Sequence, residues 1–153
     1  WRGAVRLIDA RSMPTRMPTL ATIRRACPGE SSHEGQSRLL FIRDGGRIGL
    51  VQTASETANN ADQFLARYLA DMVADVAAPA IVVTISRDAG RPTHSDRLLW
   101  RMLVDQLAPT TTTILDLVAI GPTNAWSVRR GRPLSPPRRR SSGRRSASRA
   151  AAR

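Results

Sequence analysis

The stretch AIVVTI at residues 80–85 constrains the fold more than any other part of the sequence. It is rich in β-branched residues and shows no alternation with charged positions. A run of this kind predicts a strand that is buried on both of its faces. Helical patterns precede and follow it, and strands separated by helices predict a layered α/β sheet.

The segment before this strand has the clearest helical period. Asn60 is its predicted N-cap, Gln63 stands three residues later in a capping-box arrangement, and Pro79 follows the end of the helix. The apolar positions that recur at the spacing of one buried helix face are Ala61, Phe64, Leu65, Tyr68, Leu69, Met72, Val73 and Val76. A helix with such a face packs against another layer of the fold.

The segment after the strand predicts a loop and a second helix. Residues 86–93 read SRDAGRPT, in which the glycine and the proline mark a turn. Thr93 is the predicted N-cap of the helix, and Asp96 stands at its third position, again as a capping box. The residues predicted to line its core side are Leu98, Leu99, Met102, Leu103 and Leu107.

The remaining strands complete the predicted topology. The runs RLLFI and IGLVQT flank a turn containing Gly45 and Gly46, which predicts a β-hairpin because glycine adopts positive φ readily. TILDLVAIG predicts another central strand and WSVR a short last strand. The predicted fold class is therefore α/β, a mixed β-sheet flanked by helices in the order β-β-α-β-α-β-β.

The distribution of charge divides the chain into three parts. The net charge is +12, all 24 basic residues are arginine, and ten of them lie in residues 129–153, which hold no acidic residue. Residues 38–128 are close to neutral, with eight arginines against nine acidic residues. We expect residues 1–37 to be poorly ordered apart from a short helix at 20–25, residues 38–129 to form the domain, and residues 130–153 to be a disordered Arg-rich tail. The absence of lysine indicates a GC-rich coding sequence.

The other composition features suggest a compartment. Cys27 is the single cysteine, so the chain can form neither an internal disulfide nor a thiolate metal cage. We expect a reducing, cytoplasmic environment and no membrane association, because no apolar run approaches the roughly 20 residues of a membrane span. The N-terminus has no apolar core of a signal peptide, and the start at Trp1 suggests a fragment or an imprecise gene start.

Together, the element order and the motifs of residues 90–129 resemble the RadC-like JAB/MPN domain, the fold of the JAMM metallopeptidases. That family has a buried strand ending in H-x-H-P-S-G-D-P-T-P-S-x-x-D, and later strands near L-L-D-H-x-I-x-G and Y-x-S-L-R. The matching residues of this chain are Gly90, Pro92, Thr93, Ser95, Leu115, Asp116, Gly121, Trp126, Ser127 and Arg129. The resemblance implies a JAB/MPN (cytidine-deaminase-like) architecture over about residues 38–129.

The resemblance also implies a zinc site that this chain has lost. In the family, two histidines and an aspartate hold zinc, and a hairpin glutamate activates the bound water. When the family motif is aligned with this sequence on the matching residues, its zinc-ligand positions fall on Ile85, Arg87 and Leu98. Isoleucine and leucine have no lone pair to donate, and arginine carries a permanent positive charge that repels Zn²⁺. No glutamate occurs between Glu34 and Glu56, so the resemblance implies a degenerate member in which Ser95 is the one retained catalytic motif position.

Three hypotheses for function follow. The first is a catalytically inactive binding or scaffold module without cofactor, in which Arg87 and Arg91 are candidate anion-binding residues beside a helix N-terminus. The second is a zinc-dependent JAMM-type hydrolase that uses a rearranged site built from His94, Asp96 and Asp88. More ordinary roles are a helix cap for Ser95 and solvation, or pairing with Asp88, for the two arginines.

The third hypothesis is a nucleic-acid-associated protein that binds through its tail, in keeping with the DNA-repair label of the RadC-like family. The arginines that would contact nucleic acid are Arg129, Arg130, Arg132, Arg138, Arg139, Arg140, Arg144 and Arg145. Arginine-rich segments bind phosphates without sequence preference, and such binding depends steeply on salt. A tail of arginine, serine, alanine and proline is also typical of a shifted reading frame in a GC-rich gene.

Overall fold

A computed structural model describes residues 16–27, 34–53, 62–76 and 78–134. These residues form an α/β fold in which a mixed six-stranded sheet is flanked by three helices. The helices are α1 (Leu20–Ala26), α2 (Asp62–Asp75) and α3 (His94–Leu107). The strands are β1 (Ser37–Arg43), β2 (Arg47–Thr53), β3 (Ala80–Ser86), β4 (Thr113–Ile120), β5 (Ala125–Ser127) and β6 (Arg132–Pro133).

The sheet has the strand order β2-β1-β3-β4-β5-β6. The central pair, β3 and β4, is parallel and is connected through α3, whereas all the other neighbouring strands are antiparallel. The predicted hairpin is confirmed: β1 and β2 pair across a 3₁₀ turn at Asp44–Gly46, in which Gly45 and Gly46 both have positive φ. Strand β3 is buried along its length except at Ser86, as its unbroken apolar run predicts.

The two faces of the sheet have separate apolar cores. One face packs under α2 and α3, where Leu39, Ile81 and Leu103 are among the fully buried side chains. The other face carries Leu40 and Val82, and Ile23 of α1 covers it. Helices on both faces explain why β3 has no polar alternation, because neither of its faces meets water.

Helix α3 follows its prediction closely, and α2 follows it in part. The Thr93 capping box is present, and Leu99, Leu103 and Leu107 of α3 are buried. On α2, Leu69 and Val73 are buried as predicted, whereas Tyr68 is 46% exposed, so its assignment to the core was wrong. The contact face of α2 is narrower than its apolar pattern and includes the small residue Ala66 instead. The predicted N-cap, Asn60, lies outside the described residues.

The ordered structure extends beyond both ends of the predicted domain. The short helix expected at 20–25 is present as α1, and it packs on the sheet through Ile23, which is fully buried. At the other end, residues 132 and 133 form β6 against β5, and the Leu134 amide donates to the Ala125 carbonyl at 2.9 Å. The predicted domain boundary between residues 129 and 130 is therefore too early. The change in amino-acid composition marks where the apolar residues stop, whereas backbone pairing continues through β6.

Two irregularities interrupt the sheet. In the hairpin, Phe41 pairs with Leu50 and Ile42 pairs with Ile48, so Gly49 of the outermost strand β2 is an extra residue. In β4, Leu115 is the extra residue, because the register against β3 shifts between Ile81 and Val82. Each bulge bends its strand and increases the local twist.

No helix among the described residues is both long enough and apolar enough to cross a bilayer.

Candidate functional site

The loop between β3 and α3 is fixed at both of its ends. The Arg87 amide donates to the Ile120 carbonyl at 2.8 Å, which continues the β3–β4 pairing by one residue. At the far end, the Thr93 hydroxyl accepts from the Asp96 amide, and the Asp96 carboxylate accepts from the Thr93 amide at 2.8 Å. The loop therefore presents its side chains from a defined backbone at the carboxyl ends of the parallel strands, where α/β sheets commonly bind ligands.

Arg87 dominates this loop electrostatically. Its guanidinium makes a two-pronged contact with the Asp96 carboxylate, donating from Nε at 3.0 Å and also from Nη2. Its Nη1 donates to Glu34 at 3.0 Å, and Glu34 also accepts from the Asp88 amide at 2.6 Å. The hydrogen bond with Asp96 is the main cause that raises the pKa of Arg87 above its usual value, against an opposing effect of burial. The Asp96 side chain is only 1% exposed, so this ion pair is largely sheltered from water.

Two glycines allow the β3–α3 loop to contact the loop after β4 through their backbones. Gly90 has φ +61°, and a Cβ there would lie 2.8 Å from atoms of Asn124. A Cβ on Gly121 would lie 2.6 Å from the Gly90 amide nitrogen. Asn124 also links the loops, since its side-chain amide donates to the Ala89 carbonyl at 3.2 Å. Both positions therefore require glycine, because the backbones of the two loops approach so closely that a Cβ atom would not fit between them.

The three residues at the implied metal-ligand positions have different surroundings. Ile85 is buried in the apolar core under α2 and α3. Arg87 lies just beyond the end of β3 and contacts α3 through Asp96. Leu98 is half-buried on α3. These residues do not fit a zinc ion, because two of them lack donor atoms and the third brings a guanidinium already paired with carboxylates.

The residues considered for a rearranged zinc site are also placed unfavourably. Asp96 is engaged by Arg87 and by the Thr93 amide, whereas His94, Ser95 and Asp88 are exposed. No group of three histidine, cysteine, aspartate or glutamate side chains within ligating distance occurs in the described part of the chain. Ser95 is in the first turn of α3, but the hydroxyl that caps the helix belongs to Thr93.

The two arginines expected to bind an anion are engaged elsewhere. Arg87 is held by Asp96 and Glu34 and not by Asp88, so the expected local pairing was wrong. The Arg91 guanidinium lies over the Trp126 ring, 5.8 Å from its centroid, in a cation–π contact. Trp100 and Trp126 are half-buried and pack on the α2–α3 core.

A cavity of about 380 Å³ lies beside this loop, on the sheet face covered by α1. Its lining comes from α1, β1, β3 and the loop after β4, and consists of Arg24, Cys27, Arg38, Thr84, Ser86, Arg87, Asp88, Ile120, Gly121 and Pro122. Three of these lining residues are arginines and one is acidic, and one of the arginines, Arg87, is paired with Asp96 and Glu34. Arg87 is the one implied ligand position in this lining.

The cavity brings together residues that are far apart in the sequence. Arg38 and Thr84 are directly opposite each other on β1 and β3, so their side chains share a face of the sheet. The Cys27 thiol lies 3.8 Å from the Thr84 hydroxyl, and Arg24 donates to the Gly121 carbonyl at 3.0 Å. Sequence reasoning missed Arg24, Arg38 and Thr84, and no motif spacing marks them. The one signal was Arg38 itself, a charged residue at the start of an apolar strand.

A second polar network fastens the end of the sheet. Ser127 donates to the buried Asp116 carboxylate at 2.5 Å, and the Arg129 amide donates to the same carboxylate at 3.1 Å. The Arg130 amide donates to the Ser127 hydroxyl, which closes the turn before β6. Burial raises the pKa of Asp116 above its usual value of 3.8, although the hydrogen bonds from Ser127 and Arg129 lower it. The network accounts structurally for Asp116, Ser127 and Arg129, which carry part of the family resemblance.

The tail arginines are divided by the end of the described structure. Arg129, Arg130 and Arg132 are exposed, and Arg129 donates to the Leu115 carbonyl at 3.0 Å. The predicted contacts Arg138, Arg139, Arg140, Arg144 and Arg145 lie outside the described residues. These three exposed arginines therefore lie in the turn between β5 and β6 and in β6 itself.

Comparison with known proteins adds no relative. No model of a known protein family matches the chain, and no curated protein matches it. The resemblance to RadC-like JAB/MPN domains therefore depends on the residues and spacings of this sequence alone.

Proposed function

We propose that the chain is a degenerate RadC-like JAB/MPN domain that acts as a catalytically inactive binding or scaffold module. The observation that carries the proposal is the Arg87–Asp96 ion pair. At the position that the resemblance gives to a metal ligand, this chain has a cation of its own, neutralised by a carboxylate that is 1% exposed. A divalent ion at that place would face a fixed guanidinium and would have to displace it from its partner.

The alternative of a rearranged zinc hydrolase is less well supported. It needs Asp96 as a ligand or a base, yet both oxygens of this carboxylate accept hydrogen bonds. Freeing it would leave Arg87 without its buried partner and α3 without half of its capping box. A catalytic zinc site needs three protein ligands and an open position, and Asp96 cannot be spared to complete such a set.

Metal analysis of the full chain tests the proposal. The protein is purified without chelator from zinc-supplemented medium, dialysed, and measured by inductively coupled plasma mass spectrometry. We expect far less than one zinc per chain, and no chelator-sensitive cleavage of peptide or isopeptide substrates. One tightly held zinc per chain, lost in both His94→Ala and Asp96→Asn, would establish the hydrolase instead. Arg97→Gln, an exposed substitution on the same helix, controls for surface effects.

A second candidate function is nucleic-acid binding through the Arg-rich segment. The observation that favours it is the exposure of Arg129, Arg130 and Arg132 in and before β6, at the start of a segment with ten arginines and no acidic residue. Since each neutralised phosphate releases counterions, binding through this segment must weaken steeply with salt.

Fluorescence anisotropy with a labelled duplex of random sequence tests this second function. We expect the affinity to fall by about a thousandfold between 50 and 200 mM salt if roughly six phosphates are neutralised. A chain truncated after Leu134 should lose most of the affinity. Binding that is insensitive to salt, or unchanged by the truncation, would contradict this function.

A further inference from the structure

We propose that the turn between β5 and β6 is a preformed contact element for the phosphates of nucleic acid, in which Arg130 and Arg132 are the contact residues. The inference rests on the second candidate function and deepens it. It assigns part of the binding to the folded domain, and it separates the roles of the arginines at the described end of the Arg-rich segment.

The backbone of this turn is fixed by the buried polar network at the end of the sheet. The Arg129 amide donates to the Asp116 carboxylate at 3.1 Å, and the Arg130 amide donates to the Ser127 hydroxyl at 3.0 Å. Gly131 follows with φ +62°, a conformation that favours glycine, and the chain then pairs with β5 as β6. The turn therefore presents its side chains from a defined backbone.

The three arginines of the turn differ in what they contact. Arg129 is tied to the sheet, because its Nη1 donates to the Leu115 carbonyl at 3.0 Å. Arg130 and Arg132 are exposed, and the ion pairs within the described residues both involve Arg87, so neither of the two is paired with a described carboxylate. A guanidinium keeps its charge at physiological pH and presents several N–H donors that suit phosphate oxygens. Arg130 and Arg132 are thus placed to contact a ligand, whereas Arg129 supports the turn.

The charge of the turn favours a polyanion. Of the ten arginines in residues 129–153, three lie in the turn and β6, seven follow, and the segment has no acidic residue. The carboxylate whose charge acts on Arg130 is that of Asp116, which is 2% exposed and accepts from Ser127. Positive charge that continues along a segment matches the phosphates of nucleic acid, about one per 1.7 Å of duplex, better than the scattered carboxylates of a protein surface.

The turn between β1 and β2 provides a matched comparison within the same chain. It also contains glycines with positive φ and is flanked by two exposed arginines, Arg43 and Arg47, which are directly opposite each other. Unlike the β5–β6 turn, it includes an acidic residue, Asp44, and it belongs to the other side of the sheet. Replacing its two arginines therefore removes the same charge outside the Arg-rich segment.

The salt dependence of duplex binding by the full chain tests the inference. Fluorescence anisotropy with a labelled duplex of random sequence gives the slope of log affinity against log salt concentration. We expect Arg130→Gln/Arg132→Gln to reduce this slope by about two, one for each phosphate contact, and to weaken binding by about tenfold or more near 100 mM salt. The control variant Arg43→Gln/Arg47→Gln should change the slope by less than about half a unit.

The outcomes separate this inference from the function on which it rests. If truncation after Leu134 abolishes binding while Arg130→Gln/Arg132→Gln leaves the slope unchanged, or if both double variants lose equally, the inference alone is overturned. If the full chain does not bind the duplex, the second candidate function is overturned with it. Polyglutamate that binds as tightly as the duplex, with the same loss in the double variant, would overturn nucleic acid as the partner. Circular dichroism checks that both double variants are folded.

Discussion

Replacing Arg87 with methionine removes the guanidinium from a carboxylate that has little other solvation. Asp96 is 1% exposed and would lose two of its hydrogen bonds, keeping the one from the Thr93 amide at 2.8 Å. Removing one partner of a buried ion pair costs about 3–5 kcal/mol, because the other charge stays buried. The Arg87 side chain is itself 16% exposed, so water can partly solvate the carboxylate after the substitution. We therefore expect Arg87→Met to lower the free energy of unfolding by about 3 kcal/mol, at the lower end of that range.

Urea denaturation at pH 7, followed by tryptophan fluorescence, measures this loss. Glu34→Gln is the matched control on the exposed side of the same guanidinium, where the carboxylate is 48% exposed and we expect a loss under about 1 kcal/mol. The double variant Arg87→Met/Asp96→Asn should recover most of the stability, because the asparagine oxygen still accepts from Thr93 and no charge is left buried. A loss below about 1 kcal/mol in the single variant, or a double variant less stable than the single one, would refute the reasoning.

Three further predictions concern the rest of the described structure. Burial raises the pKa of Asp116 above 3.8, so the protonated carboxyl stabilises the fold fully below pH 3.8, and this contribution is lost as the pH rises through the folded-state pKa. The Asp116→Asn variant should therefore gain stability relative to the parent chain between pH 3 and pH 7 in urea denaturation. A difference in stability that stays constant with pH would contradict this prediction. Gly121→Ala should lower the free energy of unfolding by about 1–3 kcal/mol, because its Cβ would lie 2.6 Å from the backbone nitrogen of Gly90. Gly49→Ala is the control and should cost less in the same assay, because its Cβ would lie 2.6 Å from the flexible Arg43 side chain. Leu103→Ala, at a fully buried position, should lower the free energy of unfolding by about 2–5 kcal/mol, and a loss equal to that of exposed Val104→Ala would be inconsistent with the α2–α3 core.

Local patterns predicted the elements because their causes are local. The Gly45–Gly46 turn, the capping box of Thr93 and Asp96, and the unbroken apolar run of β3 each depend on residues within a few positions of one another. Their physical causes are positive φ, free helix amides and two-sided burial. Sequence reasoning reaches these features without knowing what packs against them.

The sequence-based predictions fail where a feature depends on residues that are distant in the chain. Tyr68 fits the helical period of α2, yet the period does not say how wide a strip the sheet and α3 will cover. Strand β6 has no apolar signal because it is held by backbone hydrogen bonds to β5. Spacing assigned Arg87 to an empty metal site, but its partner Glu34 lies 53 positions away. The cavity is likewise assembled from four segments, and no short motif encodes such an assembly.

The extra residue in β2 affects how readily this edge of the sheet could pair with another strand. Among the described strands β2 is the last on its side of the sheet, and an edge strand of this kind presents backbone groups on which another chain could pair. The Gly49 bulge breaks the regular spacing of those groups, and Arg43 and Arg47, opposite each other beside the turn, add charge there. Deleting Gly49 to restore a regular hydrogen-bonding ladder would leave the core residues unchanged. The edge strand would then be straighter and would pair more readily with another chain. Such a chain would aggregate before it lost its fold.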